Sequence, residues 1–361
     1  MNKILNNYLI FNFLKVKINV ILIFVCLSIV LNLFEEIEFF KDLNVGIGLP
    51  IILNFLFIPN LLIKLLPFII FISAMWYLIS LNSSKDLLTL KVFGFSNLKI
   101  VFILSITSFV FGLFVILAIN PVTSVMIKYY EQTKAEYSKD IEHLVSINKN
   151  GVWIKEIKDK NLRIITAKKL DGNFLNNVSI YDIDSENNIK KRYYSNKADI
   201  SNNLWKFKEI QVFNFQDEFS LKNIENFELL SSYDSEKLSS LYRNLDTISF
   251  INLLSKFDEF NEKGYSKKLL SEKLNSFLSL PIFLFLMVIL ASIFTMKISS
   301  KPQNIYYIFI SIISCVVIYY FKDLSIALGQ TNKISLTLAV WMPIIALTLF
   351  CSIGILHINE K

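Results

Sequence analysis

A single lysine interrupts a long, otherwise uncharged apolar run: Lys64, in Leu61-Leu62-Ile63-Lys64-Leu65-Leu66-Pro67. An ammonium in such a setting either snorkels along its own methylene stem to the lipid headgroups or faces a cavity that receives an anion. In the second case the chemistry is charge recognition of an anionic, lipid-like substrate. Lys41 and Lys322 fall near the same predicted interface and are candidates to join it, although Asp323 offers Lys322 a local partner. The other stretch suited to a specific role runs from Ser83 to Ser96, between two long apolar runs. Ser83 followed by Asp86 fits a capping-box start, with the carboxylate at the positive end of the helix dipole. Leu88, Val92 and Phe95 recur at helical spacing, Gly94 stands where a helix would stop, and Ser96 can cap the next one. A short helix with an acid at its start and an apolar side is suited to docking on a soluble partner. It also fits a tidy, capped cytoplasmic loop.

Catalytic constellations are missing from the sequence. There is no G-x-x-x-x-G-K-[ST] loop, so the chain has no P-loop site for ATP, and no G-x-S-x-G nucleophile elbow. The two histidines, His143 and His357, are far apart, which argues against a histidine-based metal or catalytic cluster. Cys26, Cys315 and Cys351 all lie inside apolar runs, so neither a disulfide framework nor a zinc site is expected. The predicted spans carry no acid at mid-depth, which disfavours a proton-driven transporter. Any transport by this chain would draw its energy from elsewhere.

The elements that position these residues are membrane helices. Of 361 residues 53% are hydrophobic and only 9 are glycine, with a mean hydropathy of +0.49, too apolar for an ordinary soluble domain. Six segments reach the roughly 20 apolar residues a span needs: 17–35, 53–80, 100–120, 275–296, 304–321 and 335–356. The second is overlong and contains Pro59 and Pro67, which predicts a short bent segment ahead of the main helix. The first has no small-residue cleavage site and reads as a retained anchor. Lysine placement sets the expected orientation. Lys3, Lys15 and Lys17 precede the first span, and Glu35, Glu36, Glu38 and Asp42 follow it. Lys85, Lys91 and Lys99 surround the second-to-third loop, Lys297 and Lys301 the fourth-to-fifth. All the lysines fall on one side if both termini are cytoplasmic. The formal charge of +7 fits cytoplasmic headgroups and calls for no nucleic acid.

The expected organisation has three parts. Residues 1–120 hold spans one to three, with the inter-span helix at about 83–95. Residues 121–273 form one large region on the outer side, and 274–361 hold spans four to six. The outer region opens with a helical extension of the third span, Ser124 to Leu144. Short β-prone runs follow: Gly151 to Ile157, Leu162 to Ala167, Val178 to Ile183, Leu204 to Phe207 and Val212 to Phe215, with turns at Asp171-Gly172 and Glu186-Asn187-Asn188. They predict a small all-β sandwich or jellyroll at about 148–235. A return helix at about 246–263 should place Phe250, Leu253, Leu254 and Phe257 on one face, with Gly264 ending it. The fold class is therefore a six-span α-helical membrane protein with an inserted, jellyroll-like all-β domain.

This arrangement resembles the LptF/LptG permease family of lipopolysaccharide export. Asp86-Leu87 with Gly94-Phe95-Ser96 is similar to the family's Glu-Leu and Gly-x-Ser/Thr, the acid here being one carbon shorter. Leu328-Gly329-Gln330 and Ala339-Val340-Trp341-Met342-Pro343 are similar to its Leu-Gly and Ala-x-Trp-x-Pro, a block that favours the G member. Gly151-Val152-Trp153-Ile154 and Leu280-Pro281 also fit. The resemblance implies a non-catalytic inner-membrane subunit of a Gram-negative ABC transporter, its β domain periplasmic. It would pair with a sister LptF-like permease and a dimeric LptB-like cytoplasmic ATPase. That ATPase would hold ATP and Mg, leaving this chain without a cofactor. Asp86, Leu87, Leu88, Lys91, Gly94 and Ser96 would belong to the coupling helix. Lipopolysaccharide would pass from the outer leaflet to an LptC/LptA-like jellyroll bridge. A rival reading of another class is a membrane sensor or assembly scaffold with an outer β domain, which predicts neither an ATPase partner nor a substrate cavity. The absence of a cytoplasmic output domain speaks against it. A mechanotransmitting ABC permease would carry its large domain between spans one and two.

Overall fold

The computed structural model describes residues 2–41, 45–137, 145–148, 151–158, 161–171, 173–184, 188–215, 220–231, 233, 235, 238, 244–262, 267–296, 305–331 and 333–359. Asp42, His143, Gly172, Glu186, Asn187, Gly264, Lys297 and Lys301 lie outside them. The chain forms two compact units. One comprises Met1–Ala135, Asp246–Leu254 and Ser271–Lys361; the other comprises Glu136–Leu245 and Ser255–Leu270.

The first unit is helical. Among the described residues six helices are long and apolar enough to cross a membrane. They are α1 (Asn2–Phe40), α2 (Gly48–Ser83), the run of α4 (Asn97–Phe114) into α5 (Asn120–Tyr137), α8 (Lys267–Thr295), α9 (Ile305–Gln330) and α10 (Leu336–Asn359). A seven-residue helix, α3 (Asp86–Val92), joins α2 to α4. Helix α2 runs unbroken through Pro59 and Pro67, against the expected division. Proline is tolerated inside a packed apolar helix because neighbouring helices shield the freed backbone group. The third span also continues into α5, as the sequence suggests, but through a π-helical turn at Val115–Ile119 just before Pro121. A π turn is one way to absorb the hydrogen bond that a proline cannot make.

Helix α8 is the hub of this unit. Phe283, Leu284, Met287, Val288, Leu290 and Ala291 on it are fully buried and join one apolar cluster with residues of α1, α2, α4, α9 and α10. Polar pairs fix the contacts, as they do where no water competes. Asn32 on α1 donates to Asn54 Oδ1 on α2 at 3.1 Å, and Asn54 donates to the Ile29 carbonyl at 3.0 Å. Lys17 on α1 is buried between the rings of Phe13 and Phe111, 4.5 and 4.6 Å from their centroids, and donates to Ser108 Oγ at 3.4 Å. Glu36 on α1 accepts from Tyr130 Oη at 2.6 Å and from Lys134 at 3.0 Å, both on α5.

Between Asn244 and Lys267 the expected return helix is three shorter pieces. A 3-10 turn at Leu245–Thr247 precedes α6 (Phe250–Ser255) and α7 (Phe257–Glu262). Helix α6 has its own cap, with Ser249 Oγ accepting from the Asn252 N–H at 3.3 Å. Leu253 is buried but Leu254 points outward, so the predicted four-residue face does not form.

The second unit holds one antiparallel sheet of seven strands, each pairing with its sequence neighbour: β1 (Val145–Asn148), β2 (Gly151–Lys158), β3 (Asn161–Asp171), β4 (Phe174–Ile183), β5 (Ile189–Asp199), β6 (Leu204–Asn214) and β7 (Ser220–Leu230). Register aligns Ile154, Ile165, Ile180, Tyr193 and Val212 in one row across β2 to β6. That row lies on the face that carries the core, with Leu175, Val178, Trp205 and Phe207. The sheet rolls over this face. Ser231, just past β7, donates to Glu156 on β2; Trp205 Nε1 donates to the Tyr233 carbonyl at 2.6 Å; the Ser235 N–H donates to the Ile200 carbonyl at 2.8 Å. The inserted all-β unit is thus one meander sheet, curved so that the segment after β7 reaches back to β2 while β1 and β7 remain its two edges.

Candidate functional site

Helix α3 is held at both ends by local chemistry, but its start differs from the capping box expected. Ser83 still belongs to α2 and donates to the Ile79 carbonyl at 2.9 Å. Lys85, in the left-handed region at φ 63°, precedes the first helical residue, so Asp86 stands at the first position rather than the third. Its Oδ2 accepts instead from Ser84 Oγ at 2.8 Å and from Tyr8 Oη at 3.3 Å, tying α3 to α1. The expected helix at about 83–95 is accordingly shortened to Asp86–Val92.

The far end closes as a Schellman motif. The Phe95 N–H donates to the Leu90 carbonyl at 3.0 Å and the Gly94 N–H to the Lys91 carbonyl at 2.9 Å. Gly94 has φ +82°, which a side chain would strain. Leu90 and Phe95 are buried in the main core, completing the apolar contact of that motif. Ser96 Oγ then caps α4 by accepting from the Lys99 N–H at 3.2 Å. Phe95 thus leaves the surface face on which the spacing placed it. Leu88 at 65% and Val92 at 80% remain exposed, with Phe93 beside them and Lys91 also outside. Leu87 is half-buried against the core. The result is a helix pinned at both ends with an apolar strip exposed. Such a surface suits a groove on a protein partner.

Lys64 is not a lone cation. Its Nζ lies 2.7 Å from Asp246 Oδ2, while Lys273, on α8, pairs with Asp246 Oδ1. Asn60, one turn before Lys64 on α2, donates to the same Asp246 Oδ2 at 3.0 Å. Both carboxylate oxygens are therefore engaged. Burial by itself would raise the Asp246 carboxyl, but the ammoniums of Lys273 and Lys64 outweigh it and hold the group well below the usual carboxylate range. Because the folded value is depressed, the pairing is intact above the ordinary carboxylate range and is lost only as pH falls through that lowered value. The cluster is asymmetric. The Asp246 side chain is 10% exposed and Lys273 23%, whereas Lys64 is 51% exposed and has donors to spare. Lys322 lies on α9 with its ammonium over the Phe283 ring at 4.8 Å, and the charges of Asp323 and Lys273 both act on it. Lys41 is exposed just past the end of α1, and no described contact joins it to the cluster. The sequence points to Lys64 through its isolation in an apolar run. Asp246, Asn60 and Lys273 carry no comparable signal, since each is one polar residue with no local pattern.

Compared with known families, residues 7–357 match Lipopolysaccharide export system permease LptF/LptG, which is nearly the whole chain. The chain belongs to the LptF/LptG family. It is therefore a membrane-spanning subunit of a lipopolysaccharide export permease, non-catalytic in itself; the match does not divide G from F members. No curated protein matches the sequence.

The LptF/LptG blocks noted in the sequence have a physical basis at the end of the bundle where α9 turns into α10. A Cβ at Gly329 would stand 2.7 Å from the Ala339 Cβ and 2.9 Å from Leu336 Cδ2. Ser325 Oγ donates to the Ala339 carbonyl at 2.7 Å, and the Trp341 indole donates to Asn275 Oδ1 on α8 at 3.1 Å. Gly329→Val is expected to destabilise the helical unit by about 1–3 kcal/mol, the usual cost of overpacking. Thermal unfolding in detergent checks this, with Gly46→Val as the control because nothing lies within 4 Å of a Cβ there. Equal midpoints for the two variants would remove the close-approach explanation.

Proposed function

We propose that this chain is the permease subunit of an ABC transporter that extracts lipopolysaccharide from the outer leaflet of the inner membrane. In this reading both termini and α3 are cytoplasmic and the β unit is periplasmic. The orientation rests on lysines flanking the first span and the α2–α4 connection, and on acids following the first span. ATP and Mg are bound by a dimeric LptB-like ATPase, and α3 is the coupling helix seated in its groove. A sister LptF-like permease completes the cavity, and the rolled sheet hands the lipid to an LptC/LptA-like jellyroll protein by strand pairing at its edge.

The observation that carries the ATP-driven part is the outward apolar strip of Leu88, Val92 and Phe93 on a helix pinned by Asp86 at one end and Gly94 at the other. An exposed apolar strip on a short connecting helix suits a protein-binding face. The test is purification of the tagged chain from native membranes, with co-purifying proteins and lipids identified by mass spectrometry. Recovery of a second six-span protein, a small ABC ATPase and lipopolysaccharide is the expected result. A chain recovered alone, or with signalling or cell-wall proteins, would overturn the proposal.

Lys64, with Lys322 and Lys41 as outer candidates, is assigned to the anionic part of the lipid. Lys64→Glu is expected to weaken binding of a phosphorylated lipid by about tenfold or more, because it places a second acid beside Asp246, while Lys64→Arg retains it. Equal binding by the two variants, measured with lipid-doped nanodiscs, sinks the assignment.

A further inference from the structure

The carboxylate of Asp246 occupies the place that an anionic ligand of Lys64 would take. It sits 2.7 Å from Lys64 Nζ, pairs through its other oxygen with Lys273, and is oriented by Asn60. Resting on the reading of Lys64 as a lipid-anion contact, we propose that Asp246 is a resident counterion that sets the affinity of the site, competing with the phosphate of an anionic lipid for Lys64.

Three features support the exchange. First, Asp246 is the more enclosed partner and Lys64 the open one, so an arriving anion meets the ammonium without first removing the acid. Second, Lys273 also pairs with Asp246, so the carboxylate keeps a counter-charge when Lys64 turns away from it and no buried charge is left unpaired. Third, the two lysines and one aspartate sum to one positive charge, which suits a singly or doubly charged phosphate monoester better than a zwitterionic headgroup. A site of two uncompensated ammoniums would bind such an anion tightly and release it slowly, since affinity differences within one site fall mostly on the off-rate. A transporter has to let its cargo go. The resident carboxylate shortens the stay by offering Lys64 an alternative partner.

The experiment uses the full chain in phosphatidylcholine nanodiscs, titrated with a fluorescent monophosphorylated glycolipid and with its dephosphorylated twin. Asp246→Asn keeps the shape and removes the charge. It is expected to bind the phosphorylated probe roughly three- to tenfold tighter, the range for losing a partly exposed ion-pair competitor, with most of the change in the off-rate. Asp246→Glu, which keeps the charge, should stay near the parent and shows that the position tolerates substitution. Binding of the dephosphorylated twin should not change. Unchanged or weaker phosphorylated-probe binding by Asp246→Asn, with Lys64→Glu still impaired, overturns the counterion role and leaves the Lys64 site standing. Failure of Lys64→Glu to alter binding overturns both. A tenfold molar excess of inorganic phosphate over the probe should leave it bound; displacement would assign the site to free phosphate and overturn the lipid assignment.

Discussion

Replacing Leu88 and Val92 together by aspartate is expected to stop lipopolysaccharide export while leaving the helical unit folded and in the membrane. Both side chains are well exposed on α3, and surface substitutions away from caps and cores usually shift stability by less than about 0.5 kcal/mol. At a helix-in-groove interface the same two positions act as apolar anchors. Losing a buried anchor commonly costs about 2 kcal/mol, and a desolvated carboxylate in its place costs more, so affinity for an ATPase partner should fall by at least about a hundredfold. Asp86→Lys also reverses charge on this helix, but it is the less clean variant. Asp86 holds Ser84 and Tyr8, so that substitution disturbs the anchor of α3 as well as its surface. The readouts are co-purification of the ATPase and ATP-dependent release of lipopolysaccharide. Normal co-purification by the double variant would remove the docking role from this face.

Trp205→Ala is expected to unfold the β unit and spare the helical one. Trp205 is the largest fully buried side chain of the chain's described residues, and its indole N–H satisfies the Tyr233 carbonyl where the segment after β7 crosses the sheet. Truncating a buried tryptophan costs about 3–5 kcal/mol, a large part of the stability of a small domain. Trp205→Phe separates the two contributions. It keeps most of the packing and orphans the carbonyl, for an expected loss of about 1–3 kcal/mol. Limited proteolysis within residues 145–235, followed against cleavage elsewhere, reports the effect. Protection of the β unit in Trp205→Ala equal to the parent would contradict this account of its core.

The six spans are legible because bilayer thickness imposes a length and an apolar content that few other structures share. The β unit is legible only where one strand face is apolar. Val178 to Ile183 alternates cleanly and lies in β4, whereas β1, β5 and β7 escape the pattern and the runs at Leu204 and Val212 belong to one strand, β6. In β5 only Ser195 and Ala198 are buried, so the strand is specified by its ladder with β4 and β6 rather than by its own side chains. The end of α3 is readable because Gly94 and Ser96 act locally. Its start misleads because α2 runs on to Ser83 and takes the serine with it. Of the Asp246 cluster only Lys64 is readable, since the cluster joins residues 186 positions apart in sequence through tertiary packing.

The strict neighbour-to-neighbour pairing of the sheet also implies an order of events during synthesis. Each strand finds its partner within a short stretch of chain, so little loop entropy is spent on each pairing, and such topologies form quickly. The long-range step is the final one, when Ser231 reaches Glu156 and the roll shuts. All of its residues precede Lys267, where α8 begins. The rolled sheet can therefore be complete before the ribosome has made the helix around which the rest of the bundle packs.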